Sequence, residues 1–274
     1  MESKPPIMAV FFPKKNLSYI KYFLYILQKK AMPEGPSIVI LKEVVQQFTG
    51  QTIISVSGSS TIGIGRIEGQ TVISFKSWGK HFLICFEDFT IRIHLLMFGT
   101  YRINERKDRK PQLNLTFSNG EINLYSCSIK FLEGDVNLHY DWTTDVMNEA
   151  WNPELAANKL QMIPDQMICD ALLDQNIFAG VGNIIKNEVL YRTYVHPESL
   201  VGKVPSAVLK KVIDECSIYS FDFLEWKKNY VLREHWLIYT KKHCQRCNLP
   251  TQYKHTGLRN RRSFYCPNCQ NLYL

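Results

Sequence analysis

The stretch "DQMICDALLDQNIFAGVGNIIKNEVLYRT", residues 165–193, contains two helical patterns separated by a loop with two glycines. Apolar residues recur at spacings of three and four on both sides of the loop, as they do on one face of a helix. Two helices joined by a glycine-bearing turn form a common DNA-docking element, and they are also a common packing device. The stretch therefore predicts a helical domain, whereas a role in DNA binding needs support from the rest of the chain.

Short alternating segments precede this stretch, from Gln51 to about Asn137. Turn residues such as the Asn119-Gly120 pair separate them, and this pattern is typical of antiparallel strands joined by hairpins. Further upstream, apolar residues from Ser37 to Phe48 fall on one helical face, and Gly50 ends the run. The first part of the chain therefore predicts a β-sandwich that begins with a helix.

Two more helices are predicted around the opening stretch. One covers "NPELAANKLQ", residues 152–161, and the other runs from Ser206 to about Tyr219. Helices that follow a block of strands indicate an α+β fold.

The charge of the chain is unevenly distributed. The formal net charge is +8, and residues 1–31 carry six lysines against the single Glu2. Between Trp226 and Arg262 there are ten Lys or Arg residues against the single Glu234. Such a basic region is either a phosphate-binding surface or a solvated face.

Membrane insertion and secretion are not indicated by the sequence. The apolar segment "YIKYFLYIL", residues 19–27, has about half the length needed to cross a bilayer and contains Lys21. Four cysteines, at positions 85, 127, 169 and 216, are scattered through apolar surroundings, which fits buried thiols in a reducing compartment. We therefore expect a cytoplasmic protein. DNA binding, which is one of the two roles that the opening stretch allows, would associate it with the nucleoid.

The other four cysteines form two CxxC pairs with 18 residues between the pairs. Two CxxC turns on neighbouring hairpin ends complete a tetrahedral site, which predicts one structural zinc ion. An iron–sulfur site and a coincidence of spacing are the alternatives. Since four thiolates fill the coordination shell, His243 and His255 are predicted not to bind the metal. The predicted ligands are Cys244, Cys247, Cys266 and Cys269.

Between the two pairs lies "GLRNRR", residues 257–262. A β-hairpin would display this segment at its tip. An arginine-rich tip held rigid by a metal suits contact with phosphate groups.

Four separated segments resemble the formamidopyrimidine-DNA glycosylase and endonuclease VIII family of base-excision repair enzymes. They are "MPEGP" from Met32, "GKHFL" from Gly79, "ALLDQNIFAGVGNIIKNEVLYRTYVHP" from Ala171, and the cysteine ribbon. Their order and spacing agree with the family from residue 32 to the end of the chain. The resemblance implies an α+β fold with an N-terminal β-sandwich that begins with a helix, a helix–two-turn–helix domain and a C-terminal zinc-ribbon β-hairpin.

The same resemblance implies a division of the chain into four parts. Residues 1–31 would be an extension, and residues 32–150 the catalytic β-sandwich domain. Residues 151–240 would form the helix–two-turn–helix DNA-binding domain, and residues 241–274 the zinc finger.

The resemblance also implies a mechanism centred on "MPEGP". In the family, a proline at the mature N-terminus attacks C1′ of the damaged nucleotide, and the iminium that forms drives base loss and strand scission by β,δ-elimination. Pro33 would then be the nucleophile, Glu34 the acid that assists opening of the sugar ring, and Lys80 a phosphate ligand beside the lesion. Taken alone, without the other matching segments, this segment would instead indicate a tight turn before a helix.

Further DNA contacts are carried over from the family in the same way. Asn183 and Arg261 would bind phosphates around an extruded nucleotide. Met97, flanked by Leu96 and Phe98, would fill the hole left in the duplex. The alternative for these three apolar residues is a place in the core.

Two departures from one branch of the family point to the substrate. The chain has "LYSCSIKF" where the guanine-lesion branch carries a "PRRFG"-like stretch, and it lacks that branch's long loop before the zinc finger. Both features, together with Gly35, resemble endonuclease VIII. The expected partner is therefore double-stranded DNA containing oxidised bases, pyrimidines in particular, or abasic sites, bound by a monomeric bifunctional glycosylase and AP lyase.

Two other features differ from the family pattern. Ser37 stands where most members have a second glutamate, which removes any proton relay that uses that position. Pro33 is internal, so its nitrogen is an amide that cannot form an iminium. We expect that residues 1–31 are not part of the native enzyme, and the alternative is a non-catalytic, zinc-stabilised damaged-DNA-binding protein that retains them.

Overall fold

The computed structural model describes residues 33–274. The expectation that residues 1–31 are not part of the native enzyme lies outside the described residues. Within residues 33–274, no helix combines the length and the apolar character that crossing a membrane requires.

The first helix, α1, spans Gly35–Val44 and begins directly after Glu34. Pro36 lies in its first turn, where a missing backbone N–H costs no hydrogen bond. A 3-10 turn at Gln46–Phe48 follows, and Gly50 then adopts a φ of +77°. The predicted helix is thus present, with its last turn wound as a 3-10 helix.

Six antiparallel strands follow and form one sheet in the order β1-β5-β6-β4-β3-β2. A two-residue turn of Ser118 and Asn119 joins β5 to β6. Gly120 then begins β6 with a φ of +149°, where a Cβ would overlap the side chain of Asn104. The strands are β1 (Ser55–Ser57), β2 (Ser74–Trp78), β3 (His81–Cys85), β4 (Phe89–Ile103), β5 (Leu113–Phe117) and β6 (Gly120–Glu133).

A break in strand register divides this sheet into two halves. It lies between Leu95 and Thr100, where β4 pairs with β6. β2 and β3 extend one half, and β5 and β1 extend the other. Ile93 from the first half and Leu115 from the second are both fully buried in the same apolar cluster. The α+β prediction is confirmed, and the predicted sandwich is built from one hydrogen-bonded sheet whose halves share a core.

Four helices lie beyond the sheet, and Asn152 caps the first of them by accepting the N–H groups of Glu154 and Leu155. The predicted helix ending near Tyr219 continues to Lys228, because Phe223 and Leu224 extend its buried face. The helices are α2 (Pro153–Gln161), α3 (Ile168–Ala171), α4 (Asn183–Arg192) and α5 (Ser206–Lys228).

The helical pattern that opens at residue 165 forms less helix than expected. Only Ile168–Ala171 is α-helical, and the chain then turns through bonds such as the one from the Asp174 N–H to the carbonyl of Ala171. These tighter turns redirect the chain, so that the glycine loop can reach the sheet domain.

The C-terminal region contains a two-stranded hairpin of β7 (Gln252–Thr256) and β8 (Arg261–Tyr265). Residues 257–260 form its tip, and Gly257 has a φ of +66° there. Arg261 is the first residue of β8, so the arginine-rich segment spans the tip and the start of the second strand.

Candidate active site and nucleic-acid interface

Glu34 lies across the N-terminus of α4, although the two are far apart in sequence. Its Oε1 accepts the N–H of Ile184 at 2.7 Å and its Oε2 accepts the N–H of Ile185 at 3.2 Å. The first N–H groups of a helix have no partner within the helix, and they carry a partial positive charge that favours an anion. Glu34 therefore joins the start of the β-sheet domain to the helical domain, and only 1% of its surface is exposed.

Backbone-to-backbone contacts between glycines make this approach possible. The N–H of Gly35 donates to the carbonyl of Gly180 at 2.9 Å, and a Cβ on Gly35 would lie 2.9 Å from the Cα of Gly180. Gly79, with a φ of +52°, has no space for a side chain, because a Cβ would lie 2.8 Å from the Gly180 nitrogen. A Cβ on Gly182 would overlap the carboxyl group of Glu34. Three segments predicted to carry function thus meet at one point.

Lys80 follows Gly79 in the turn between β2 and β3 and is partly buried. Burial lowers the pKa of Lys80, the charge of Glu34 opposes that change, and Arg261 and Arg259 add to it. The charges of Glu34 and of the two hairpin arginines therefore act on Lys80 in opposite directions. A lysine ammonium group is chemically suited to bind phosphate, which is the role that the sequence predicts for Lys80.

Burial also raises the pKa of Glu34 above its ordinary value. Lys80, the two N–H groups of α4, and Lys227 at the end of α5 all act in the opposite direction. A carboxyl group whose pKa is raised holds its proton more readily than an exposed one, as a general acid must.

A cavity of about 240 Å³ lies between the sheet domain and the hairpin. The cavity is lined in part by three residues that are predicted to contact DNA, namely Met97, Asn183 and Arg261. The other lining residues are Tyr239, Thr240, His255, Asn260, Arg262 and Phe264.

The side chain of Asn183 is largely occupied by protein contacts. Its Nδ2 donates to the carbonyl of Arg262 at 3.0 Å, and its buried Oδ1 has no hydrogen-bond partner among the described residues. The side-chain amide nitrogen of Asn183, which could donate to a phosphate, is thus directed to the hairpin backbone.

The hairpin is held by polar groups that sequence reasoning did not identify. Lys186, with no exposed surface, donates to the Ser263 hydroxyl at 2.8 Å, and the Asn187 Oδ1 accepts the N–H of Phe264 at 2.6 Å. Asn183, Lys186 and Asn187 lie at positions i, i+3 and i+4 of α4, so they share one face. That polar face, beside the apolar Ile184, Ile185, Val189 and Leu190 of the same helix, is the signal that could have revealed them.

Asp170 fixes the tip of the same hairpin from α3. Its two carboxylate oxygens accept the N–H groups of Leu258 at 2.6 Å and Arg259 at 3.1 Å. A Cβ on Gly257 would overlap this carboxylate. The tip next to Arg261 is therefore rigid before any ligand binds.

The segment from Leu96 to Phe98 lies at the register break of β4 and projects from the surface. Leu96 is 47% exposed, Met97 52% and Phe98 58%. The alternative that placed these residues in the core is therefore wrong.

The four cysteines of the CxxC pairs lie together. Their Sγ atoms are all within 4.8 Å of one another, with Cys244 to Cys269 at 3.8 Å and Cys247 to Cys266 at 3.6 Å. A tetrahedral zinc ion with bonds of about 2.3 Å to sulfur requires S–S separations of about 3.8 Å. The cluster thus fits a metal ion of that size, and His243 and His255 are not part of it.

Comparisons with known proteins agree with this arrangement. The profile of the formamidopyrimidine-DNA glycosylase N-terminal domain matches residues 32–131, and that of the family's H2TH domain matches residues 143–218. Endonuclease 8-like 3 of Xenopus laevis is 27% identical over 232 residues, which are 80% of this chain and 38% of that protein. Endonuclease 8 2 of Mycobacterium bovis is 29% identical over 224 residues, 74% of this chain and 85% of that protein.

Solved structures share the same fold. Lactococcus lactis formamidopyrimidine-DNA glycosylase bound to DNA with an AP site has a TM-score of 0.77 at 22% identity, covering 87% of this chain and 99% of that one. A viral DNA glycosylase has a TM-score of 0.76 at 22% identity, covering 87% and 100%. This chain spans well under half the length of its endonuclease 8-like 3 relatives. The two profile matches and these relatives show that the chain belongs to the formamidopyrimidine-DNA glycosylase and endonuclease VIII family.

Proposed function

We propose that this chain is a bifunctional DNA glycosylase and AP lyase that removes oxidised bases, pyrimidines in particular, from double-stranded DNA. The observation that carries the proposal is the position of Glu34, which is buried on the N-terminus of α4 with Lys80 nearby. Pro33 directly precedes this carboxyl group and is itself partly exposed. In this proposal, Pro33, Glu34 and Lys80 act on one nucleotide as nucleophile, acid and phosphate ligand.

In the proposed reaction, the amine of Pro33 bonds to C1′ and loses its proton to solvent, while Glu34 gives a proton to the sugar-ring oxygen O4′ as the C1′–O4′ bond breaks. The C1′–base bond breaks, and the iminium between Pro33 and C1′ then promotes β- and δ-elimination of the flanking phosphates. The step requires a free amine, so Pro33 must be the first residue of the active enzyme. A neutral amine is available because a terminal amine has a pKa of about 8.

The hairpin and the glycine loop would hold the DNA backbone around the lesion. Arg261 lines the cavity beside Lys80, and both would contact phosphates that flank the extruded nucleotide. For Asn183, whose side chain bonds to Arg262, we propose that DNA binding redirects the amide from the hairpin carbonyl to a phosphate.

The exposed segment Leu96–Phe98 is proposed to fill the hole that extrusion leaves in the duplex. Met97→Ala is expected to slow excision from duplex DNA about tenfold, since unstacking a base costs a few kcal/mol that the wedge offsets. Excision from single-stranded DNA, which has no such hole, should change little. Single-turnover rates on both substrates provide the measurement, and Met162→Ala is the matched control, because Met162 is 82% exposed and lies outside this site. Equal losses on both substrates would contradict the role of a wedge.

We propose zinc as the metal of the four-cysteine cluster, with a purely structural role. Two five-residue strands bury few apolar side chains, so metal binding would supply much of the folding free energy of the module. The protein is proposed to act as a monomer on chromosomal DNA in the cytoplasm.

Base release from defined duplexes tests the proposed function. A chain that begins at Pro33 is incubated with duplexes that contain thymine glycol, 8-oxoguanine or only normal bases. We expect release of thymine glycol at least about tenfold faster than release of 8-oxoguanine, followed by a one-nucleotide gap with phosphates on both sides. Tight binding to the lesion without base release would instead favour the non-catalytic damage-binding protein.

A further inference from the structure

Lys227 approaches the active site from the last turn of α5. Its Nζ donates to the hydroxyl of Ser37, in the first turn of α1, at 2.5 Å. The side chain is partly buried and lies over the ring of Phe223, with 5.8 Å between the ammonium and the ring centroid. An ammonium group removed from water is costly unless a negative charge compensates it, and the hydroxyl of Ser37 has none.

The negative charge that acts on Lys227 is that of Glu34, which lies three residues before Ser37 in the chain. Ser37 and Glu34 belong to the same helix start, where the N–H of Ser37 donates to the carbonyl of Glu34 at 2.8 Å. Burial lowers the pKa of Lys227 to about 8, and the carboxylate of Glu34 opposes that change. In return, the charge of Lys227 opposes the rise that burial causes in the pKa of Glu34.

Other charged or titratable groups face Glu34 from the elements packed around it. Lys80 acts from the turn between β2 and β3, and Lys186 is affected by the same carboxylate from α4. Tyr219 on α5 and Tyr239 before the hairpin also respond to Glu34, and both remain neutral because burial raises their pKa. Among these groups, Lys80 and Lys227 are the two cations with the largest effect on the carboxyl group of Glu34.

We propose that Lys227 is a positioning residue that sets the charge of Glu34, with Ser37 as the small, neutral residue that holds its ammonium in place. If a glutamate stood at position 37, its carboxylate could neutralise the charge of Lys227. With Ser37, the positive charge acts on Glu34 instead. The consequence for catalysis rests on the proposed function, whereas the charge of Glu34 can be measured without any reaction.

The neighbouring lysine provides a matched control. Lys228 also links α5 to α1, through an ion pair of 2.9 Å between its Nζ and the carboxylate of Glu43. It therefore shares the location and the tethering role of Lys227, but its charge pairs with Glu43 and it is not among the groups with the largest effect on Glu34.

The test is the titration of the Glu34 carboxyl group, followed by ¹³C NMR in protein without DNA and assigned with Glu34→Gln. Lys227→Met is expected to move the midpoint to higher pH, since removing a positive neighbour disfavours the carboxylate. In the Lys227→Arg and Lys228→Met proteins, the midpoint of the Glu34 titration should be the same as in the unmodified protein. An unchanged midpoint in Lys227→Met, or an equal shift in Lys228→Met, would overturn the proposal.

The pH dependence of base release gives a second readout. If protonated Glu34 is the acid, Lys227→Met should move the alkaline limb of the profile to higher pH, and Lys228→Met should not. A moved NMR midpoint with no base release from any variant would refute the proposed function while leaving the link between Lys227 and Glu34 intact. Thermal unfolding confirms that each variant is folded, and methionine fills the volume of the lysine chain without its charge.

Discussion

Replacing Glu34 by glutamine is expected to lower the single-turnover rate of base excision by about 10²–10⁴-fold, which is the range for loss of a positioned general acid. Glutamine has nearly the same shape, and its single carbonyl oxygen can still accept the N–H of Ile184. It cannot supply the proton that opens the sugar ring. Strand cleavage at a preformed abasic site should be affected much less, because the sugar of such a site already opens to the aldehyde.

Glu43→Gln is the control for this substitution. Glu43 lies on the same helix, and its carboxylate pairs with Lys228 rather than with the N-terminus of α4. This variant should excise bases at the normal rate. Equal losses in both variants, or a rate near normal in Glu34→Gln, would remove Glu34 from the mechanism.

Replacing Cys266 by serine is expected to abolish metal binding and to weaken binding to lesion-containing DNA by about ten- to a hundredfold. Cys266 is fully buried, and its Sγ lies 3.6 Å from that of Cys247. Without the metal, the hairpin loses the constraint that positions Arg261 next to Lys80. Metal analysis should show one zinc ion per unmodified chain and none in the variant, and a fluorescence titration with DNA gives the affinity.

Cys216→Ala separates this effect from a general loss of packing. Cys216 is equally buried, but it lies in α5 and outside the cluster. The Cys216→Ala protein should retain both the bound metal and its affinity for DNA. Unchanged DNA affinity in the metal-free Cys266→Ser protein would show that the hairpin does not take part in binding.

Much of the fold follows from local patterns in the sequence. The alternation within "FTIRIHLLMFGTYRI" predicts a strand that the structure has as β4, and the Asn-Gly pair predicts the turn before β6. The sequence predicts a longer helix after residue 165 than the structure has, because apolar periodicity does not reveal where the glycine loop must bend toward the sheet. The sequence predicts too short an α5, since the residues that extend it, such as Phe223 and Leu224, are buried by contacts with distant elements.

The site was predictable where the chemistry resides in a short motif. The four cysteines belong to such motifs and meet as expected. The contacts of Asp170, Lys186 and Lys227 were not predictable, because each joins residues that are more than 70 positions apart in the chain. A lysine that will be buried beside Ser37 reads in the sequence as one more member of a basic surface run.

The central claim is that the amine of Pro33 is the nucleophile, and borohydride trapping tests it most directly. Two proteins are compared on a duplex with one abasic site: a chain that begins at Pro33, and the same chain with Met32 retained. Borohydride reduces an iminium to a stable bond, so the first protein should give a covalent protein–DNA adduct whose mass locates the bond at Pro33. The second should give none, since its Pro33 nitrogen is an amide. Absence of an adduct with the first protein, or equal adducts with both, would contradict the account.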